Sequence, residues 1–562
     1  MTHPDPLPDD HPETYAETQA STKRKKLRII AAISAVAVIA LVALFLTVSQ
    51  FVTPQAATAP SSTTAAAKPT PSKSLPPAPA VTYYNQAGPP AGSPLEAVDP
   101  LEVKVSGDEV GTSLNKGMVG ISLEATDLAD PNLSVDNASM VKLLKDADNP
   151  VLRFGGNAVD RRFFWTSSNE PLPSDYKGDK AHPARAVGPS DLQRVATLLN
   201  ATDAKISLTV DLGHYDPDRA ADMVKNASKV FGPRLLSVTI GNEPNGLAYT
   251  GLRNKDYGSE DYVTELKAYA NAINAAAPGV AISGPGVYDQ KWWKPFIDAQ
   301  IPQKKILSFH NYPLFSCTDK SSEGFPSLAN LMSTSMHDRA ASYQNHALEA
   351  AKASGLETWL AETGMTACPG SNETTKTHAS ALWSVDYALN AAKLGITRMG
   401  FHSSMLTCKG GPPMSVICSG GNYLQPNGEV SGRANYFGMA MVADLEAGKF
   451  LKLEGSGGGL AYSYALKNAD GSTTVVLVNE NNPEKAAQTK VSLKLPGKAL
   501  TGTMTQLTGP GFAAQDSTAI DGAQSAPVPL AKRATVPGFT YGSDTQNFVL
   551  TAGTATVLNF KY

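Results

Sequence analysis

The sequence predicts an α/β chain: a (β/α)8 TIM barrel followed by an antiparallel β-sandwich, behind an N-terminal transmembrane anchor. Three observations predict it. Between residues 116 and 446, short β-rich runs alternate eight times with amphipathic helical patterns. After residue 447 the long helical patterns cease and short strand runs follow one another. Ahead of both, residues 29–48 carry no charge and are preceded by a basic cluster.

Lys23-Arg24-Lys25-Lys26 and Arg28 form that cluster, and the run after it is mostly Ala, Ile, Val and Leu. Twenty such residues, at about 1.5 Å of helical rise each, span a bilayer core of about 30 Å. Basic residues before a span hold their side in the cytoplasm. The expected arrangement is therefore a cytoplasmic tail over 1–28, a single membrane pass over 29–48, and an extracytoplasmic remainder. A cleaved signal peptide and a secreted product are the alternative. Ala57-Thr58-Ala59 has the small-x-small pattern, but Pro60 directly after it disfavours processing. Residues 49–95 are dominated by Pro, Ala, Ser and Thr and read as a linker, since they bury too little apolar area to offset chain entropy.

The 562 residues exceed one ordinary core. A net charge of −3, with 18% charged residues, gives no general attraction to nucleic acid. The cysteines are Cys317, Cys368, Cys408 and Cys418, with no CxxC pair and no histidine at metal-finger spacing. None of the nine histidines lies in an HExxH pattern. No metal and no cofactor are expected. Export permits disulfides, and four cysteines allow three pairings.

The eight barrel strands are expected at 118–124, 151–154, 205–211, 236–241, 280–284, 306–310, 358–362 and 396–402. Short runs of Val, Ile and Leu suit strands covered on both faces. An open doubly wound sheet would want a glycine-rich phosphate turn after its first strand, and Gly120-Ile121-Ser122-Leu123-Glu124 supplies none. Beyond the barrel, 460–466 and 473–479 read as a hairpin across Asn468-Ala469-Asp470-Gly471, and 491–495, 548–550 and 554–560 as further strands. Residues 447–562 form the expected sandwich, to which 96–115 adds a strand.

Chemistry is expected at the C-terminal ends of the barrel strands. Glu243 follows strand four in Gly241-Asn242-Glu243-Pro244-Asn245, and Glu362 ends strand seven in Trp359-Leu360-Ala361-Glu362-Thr363. One glutamate after a strand is ordinarily a charge at a helix N-terminus or in a solvated loop. A pair on strands that face each other across the mouth suits double displacement on a glycoside, with Glu362 as nucleophile and Glu243 as acid/base. The charge of Glu362 would raise the pKa of Glu243 and keep it protonated.

With these blocks, and with Leu152-Arg153-Phe154-Gly155-Gly156-Asn157 and Ser308-Phe309-His310-Asn311-Tyr312-Pro313, the sequence resembles glycoside hydrolase family 79, the β-glucuronidase and heparanase family, from about residue 103 to the end. The resemblance implies a carbohydrate substrate, a β-glucuronide. It implies that Asn242 binds the sugar 2-hydroxyl, that Glu124 and Asn157 line the sugar pocket, and that Tyr312, with His310 near it, hydrogen-bonds the nucleophile region. One loop departs from the family. Residues 363–371 have fewer glycines than a carboxylate-binding loop uses, together with Cys368 and Pro369, which lacks an N–H. Tyr423 is a candidate replacement for the family's tyrosine. The alternatives are a glycosidase of the same clan acting on neutral sugars and a non-catalytic glycan-binding surface protein. Strands six and seven are neighbours, so Cys317 is expected to pair with Cys368, which leaves Cys408 for Cys418.

Overall fold

The computed structural model describes residues 94–562 apart from 181, 369–370, 409–413, 423–424, 516, 521–533 and 536–538. The apolar run at 29–48, its basic flank, most of the linker and Tyr423 therefore lie outside the described residues. Among the described residues, no helix is long and apolar enough to cross a membrane.

Eight strands close a barrel in chain order: β1 (Val119–Glu124), β2 (Val151–Gly155), β3 (Lys205–Val210), β4 (Leu235–Ile240), β5 (Ile282–Val287), β6 (Lys304–Asn311), β7 (Glu357–Thr363) and β8 (Arg398–His402). Every neighbouring pair is parallel, and β8 closes onto β1 with Phe401 opposite Ile121. Apart from Leu235 and Leu236 at the start of β4, their Val, Ile and Leu side chains are buried, because helices cover the outside while side chains fill the inside. Stop signals in the sequence match the helix starts. Asp216 caps the helix Pro217–Phe231 by accepting from the Arg219 N–H, with Pro217 at its first turn.

The fifth strand departs furthest from expectation. It runs through Gly284-Pro285-Gly286, which as a sequence reads as a turn, whereas the expected strand stopped at 284. Tertiary packing overrides the local signal. A Cβ on Gly284 would meet the Phe296 ring at 2.5 Å, and the β5–β6 register shifts between Pro285 and Val287, which accommodates a residue without an N–H. The loop after β8 contains a two-stranded ladder, Ile417–Asn422 with Gln425–Gly432.

Beyond the barrel, where the sequence predicts a sandwich, ten strands are hydrogen-bonded into one continuous sheet that encloses a second core of its own. Its longer members are the strand Leu101–Leu114 and β9 (Gly448–Ser456), β10 (Ala461–Asn468), β11 (Thr473–Asn479), β12 (Thr489–Ala499), β13 (Thr501–Thr508), β14 (Ser543–Leu550) and β15 (Thr554–Lys561). Leu101–Leu114 joins the sheet's two halves, antiparallel to β9 and parallel to β12. Alternation along β11 divides the burial. Val476 and Val478 belong to the core shared with the barrel, while Val475 and Leu477 pack in a second core with Val491 and Leu493 of β12.

His378 starts the barrel helix His378–Leu394 and is fully buried against the sheet domain. Its Nε2 lies 2.7 Å from the Gly553 carbonyl and its Nδ1 3.1 Å from Thr518 Oγ1. Burial pushes its pKa down to about 4. A depressed histidine contributes stability that is fully present above its unfolded pKa of about 6.5 and is lost as pH falls towards 4. The difference corresponds to about 3 kcal/mol. Denaturant melts between pH 7 and pH 4.5 should therefore lose more stability in the wild type than in His378→Gln, which keeps a donor and does not titrate. Equal losses in the two proteins would refute this.

Candidate active site

The ends of β4 and β7 bring Glu243 and Glu362 together. Glu362 is the penultimate residue of β7, paired in register with His310 of β6. Glu243 follows Asn242 just past β4, in a left-handed conformation (φ 48°), and its N–H donates to the Gly286 carbonyl. That bond ties the turn after β4 to β5. One carboxylate oxygen of each glutamate and a ring nitrogen of His310 all lie within 4.8 Å of one another. His310 Nδ1 is 2.9 Å from Glu243 Oε1 and 4.0 Å from Glu362 Oε2.

The two carboxyl groups have unlike surroundings. Glu362 is buried, and its Oε2 accepts from Arg153 Nη1 at 2.5 Å while its Oε1 accepts from the Tyr312 hydroxyl at 2.8 Å. His402 Nδ1 lies 3.5 Å from Oε1. Burial by itself would raise this carboxyl's pKa. The charges of His310, His402 and Arg153 and the Tyr312 hydrogen bond outweigh it, and the group is held far below the usual carboxylate range. Tyr312, pushed well up by burial and by the Glu362 charge, stays a neutral donor. The Glu243 side chain is 21% exposed and therefore faces the mouth.

Among the other expected residues, Asn242 is buried and its Oδ1 accepts from Arg153 Nη2 at 2.6 Å. That bond orients the amide with its nitrogen free of the guanidinium. Glu124 ends β1, accepts from the Ala158 N–H at 2.7 Å and sits 3.6 Å from His402 Nε2. His402 thus lies between Glu124 and Glu362. Asn157 stands exposed on the loop after β2, outside this buried network. Loops after β6 and β7 are joined by the Cys317–Cys368 disulfide, and Cys408–Cys418 closes the loop after β8. Both bridges are as expected.

Sequence reasoning missed Arg153, Asp160 and His402. Arg153 joins Ser122, Glu362 and Asn242 through one guanidinium. A signal was available: a charge inside Val151-Leu152-Arg153-Phe154 cannot sit in a strand buried on both faces without a partner. Asp160, on the loop after β2, accepts from the N–H groups of Leu212, Gly213 and Asn242. Burial, with the Asp211 charge beside it, pushes Asp160 up to about 7. It fixes the turns after β3 and β4, and nothing in its local sequence marks it. Two carboxylates and an imidazole are also a possible cation donor set, but Arg153 already supplies the counter-charge at Glu362.

A closed parallel barrel with a carboxylate at the ends of β4 and β7 defines the class: a glycoside hydrolase. The family the chain resembles is glycoside hydrolase family 79: residues 193–388 match the model for the glycosyl hydrolase family 79 N-terminal domain. The chain is 22% identical over 403 residues to a baicalin-β-D-glucuronidase of Scutellaria baicalensis, covering 64% of this chain and 71% of that protein. Its fold is similar to a 4-O-α-L-rhamnosyl-β-D-glucuronidase of Fusarium oxysporum, with a TM-score of 0.61, 17% identity, and coverage of 82% of this chain and all of that one. It is similar too to a family 51 arabinofuranosidase of Xanthomonas axonopodis, with a TM-score of 0.60, 14% identity, and coverage of 83% of this chain and all of the other.

Proposed function

We propose that the chain is a retaining β-glucuronidase. The observation that carries this reading is the approach of Glu243 and Glu362 to within 4.8 Å, oxygen to oxygen. Retaining enzymes hold their two carboxyls about 5–5.5 Å apart, whereas inverting enzymes leave room for a water at about 6.5–9.5 Å. Glu362, kept ionised, attacks the anomeric carbon. The bond from that carbon to the glycosidic oxygen breaks, and the oxygen takes the proton of Glu243. Water then attacks the same carbon, the bond to Glu362 breaks, and the water's proton passes to Glu243. His310 steadies Glu243, and the Asn242 amide nitrogen is placed to bind the sugar 2-hydroxyl, a contact that strengthens in the transition state. The β-glucuronide itself is supported by the resemblance to two glucuronidases.

The proposed setting is the outer face of a membrane, tethered through residues 29–48. The charge-free run behind its basic cluster supports it, as do the two disulfides, which persist in oxidising compartments.

The test is a panel of 4-nitrophenyl β-glucuronide, β-glucoside, β-galactoside, β-xyloside and α-L-arabinofuranoside. A site built for a carboxylate leaves donors unpaired when a neutral sugar binds. The glucuronide should lead in kcat/KM by a factor of about 100 or more, about 2.7 kcal/mol. A glucoside or arabinofuranoside hydrolysed as well as the glucuronide would move the assignment to a neutral-sugar glycosidase. No release of any sugar would favour a glycan-binding protein instead.

A further inference from the structure

The turn that carries Glu243 is strained and clasped. Glu243 adopts a left-handed conformation, φ 48°, which a residue with a Cβ keeps only where its surroundings impose it. Gly241, two residues earlier, is left-handed as well, φ 77°. Each N–H of this short turn has a partner. The Gly241 N–H donates to the Val210 carbonyl at 3.0 Å, the Glu243 N–H to the Gly286 carbonyl at 3.0 Å, and the Asn242 N–H to Asp160 Oδ2 at 2.7 Å. Val210 and Gly286 lie on β3 and β5, the strands that flank β4. Asp160 is different. It is a side chain from the loop after β2, and β2 does not adjoin β4 in the barrel.

Asp160 is buried, and its other oxygen, Oδ1, accepts from the Leu212 N–H at 2.7 Å and the Gly213 N–H at 3.0 Å. One carboxylate therefore binds three N–H groups from the turns after β3 and β4. Close packing locks the same three loops. A Cβ on Gly213 would lie 2.3 Å from the Asp160 carbonyl oxygen, and one on Gly241 would lie 2.8 Å from Leu212 Cδ2. The loop after β2 thus fixes the turn after β3, and together they fix the turn that aims Glu243. Every partner of the carboxylate is a donor, so an amide in its place would set one N–H against another.

We propose that Asp160 is a positioning residue for leaving-group protonation, which keeps the Glu243 carboxyl at the departing oxygen by holding the Asn242 N–H. The inference rests on the assignment of Glu243 as acid. In Asp160→Asn the amide oxygen keeps Leu212 and Gly213, while the amide nitrogen meets the Asn242 N–H, so the bond to the acid's own turn is the one lost. Part of the resulting loss, through Asn242 and the sugar 2-hydroxyl, is common to every substrate. The part that acts through Glu243 is not. A displaced acid matters more as the leaving oxygen needs its proton more, whereas a general loosening of the barrel lowers every rate alike.

The experiment measures kcat/KM for 2,4-dinitrophenyl, 4-nitrophenyl and phenyl glycosides of the sugar that the 4-nitrophenyl panel releases, in wild type, Asp160→Asn and Glu243→Gln. The phenyl glycoside has the poorest leaving group. Relative to the 2,4-dinitrophenyl glycoside, it should lose about 100-fold more in Glu243→Gln and at least about tenfold more in Asp160→Asn. Asp160→Glu keeps the charge but moves the acceptors by a methylene; it should show the same ordering, and it is the variant assayed if Asp160→Asn melts below the assay temperature. Equal losses on all three substrates in the Asp160 variant, with Glu243→Gln still ordering them, overturn the inference and leave the proposed function standing. Equal losses in Glu243→Gln remove the acid assignment and this inference with it, as does an absence of hydrolysis across the panel.

Discussion

Glu362→Gln is expected to lower kcat/KM on 4-nitrophenyl β-glucuronide by about five orders of magnitude or more, the scale on which removal of an attacking group is felt. The substitution is nearly isosteric. It keeps one acceptor oxygen, for Arg153, and presents an amide N–H that the Tyr312 hydroxyl oxygen can accept, while removing the charge and the nucleophile. Neutralising one partner of the buried pair costs stability, but the Arg153 guanidinium keeps its bonds to Ser122 and Asn242, so the fold should survive at a lowered melting temperature. A smaller side chain, Glu362→Gly, should let azide enter and give the inverted glycosyl azide. Activity close to wild type in a folded Glu362→Gln protein would remove the mechanism proposed above.

Arg153→Met should have the next largest effect, on both stability and pH dependence. Removing one partner of a buried ion pair leaves the other charge uncompensated, at a cost of about 3–5 kcal/mol. Glu362 and Arg153 are both buried and hydrogen-bonded. The second consequence follows from the sign of the shift at Glu362. Its folded-state pKa is depressed, so it contributes stability that is present above the unfolded value and lost as pH falls through the folded one. Taking away the Arg153 charge shrinks the depression. The acidic limb of kcat/KM, which requires ionised Glu362, should therefore move to higher pH in Arg153→Met. A loss of rate with an unmoved acidic limb would mean that Arg153 acts only as a structural strut. Arg153→Lys, which keeps the charge but not the fork, should lie between the two.

The carboxylate pair was legible because chemistry on a parallel barrel gathers at strand ends, and strand ends can be read from hydrophobic runs. Val238-Thr239-Ile240 and Trp359-Leu360-Ala361 point directly at Glu243 and Glu362. The residues that set the state of that pair were less legible. Arg153 was visible as a charge in an apolar strand, but its partners are 89 and 209 positions away. His402 ends a strand like many other residues, and only barrel closure sets it between Glu124 and Glu362.

What the sequence determined by itself is whatever depends on short range. The eight alternations of strand and helix, the caps such as Asp216, and the hairpin at Asn468-Ala469-Asp470-Gly471 follow from periodicity and turn chemistry within a few residues. Tertiary structure alone decided features whose energy comes from distant partners. Gly284-Pro285-Gly286 became strand because Phe296 packs where a Cβ would be. Leu101–Leu114 came to lie parallel to β12, nearly four hundred residues later in the chain, joining two halves into one sheet. In each case the local preference is worth about 1 kcal/mol or less, and burial against a remote side chain outweighs it.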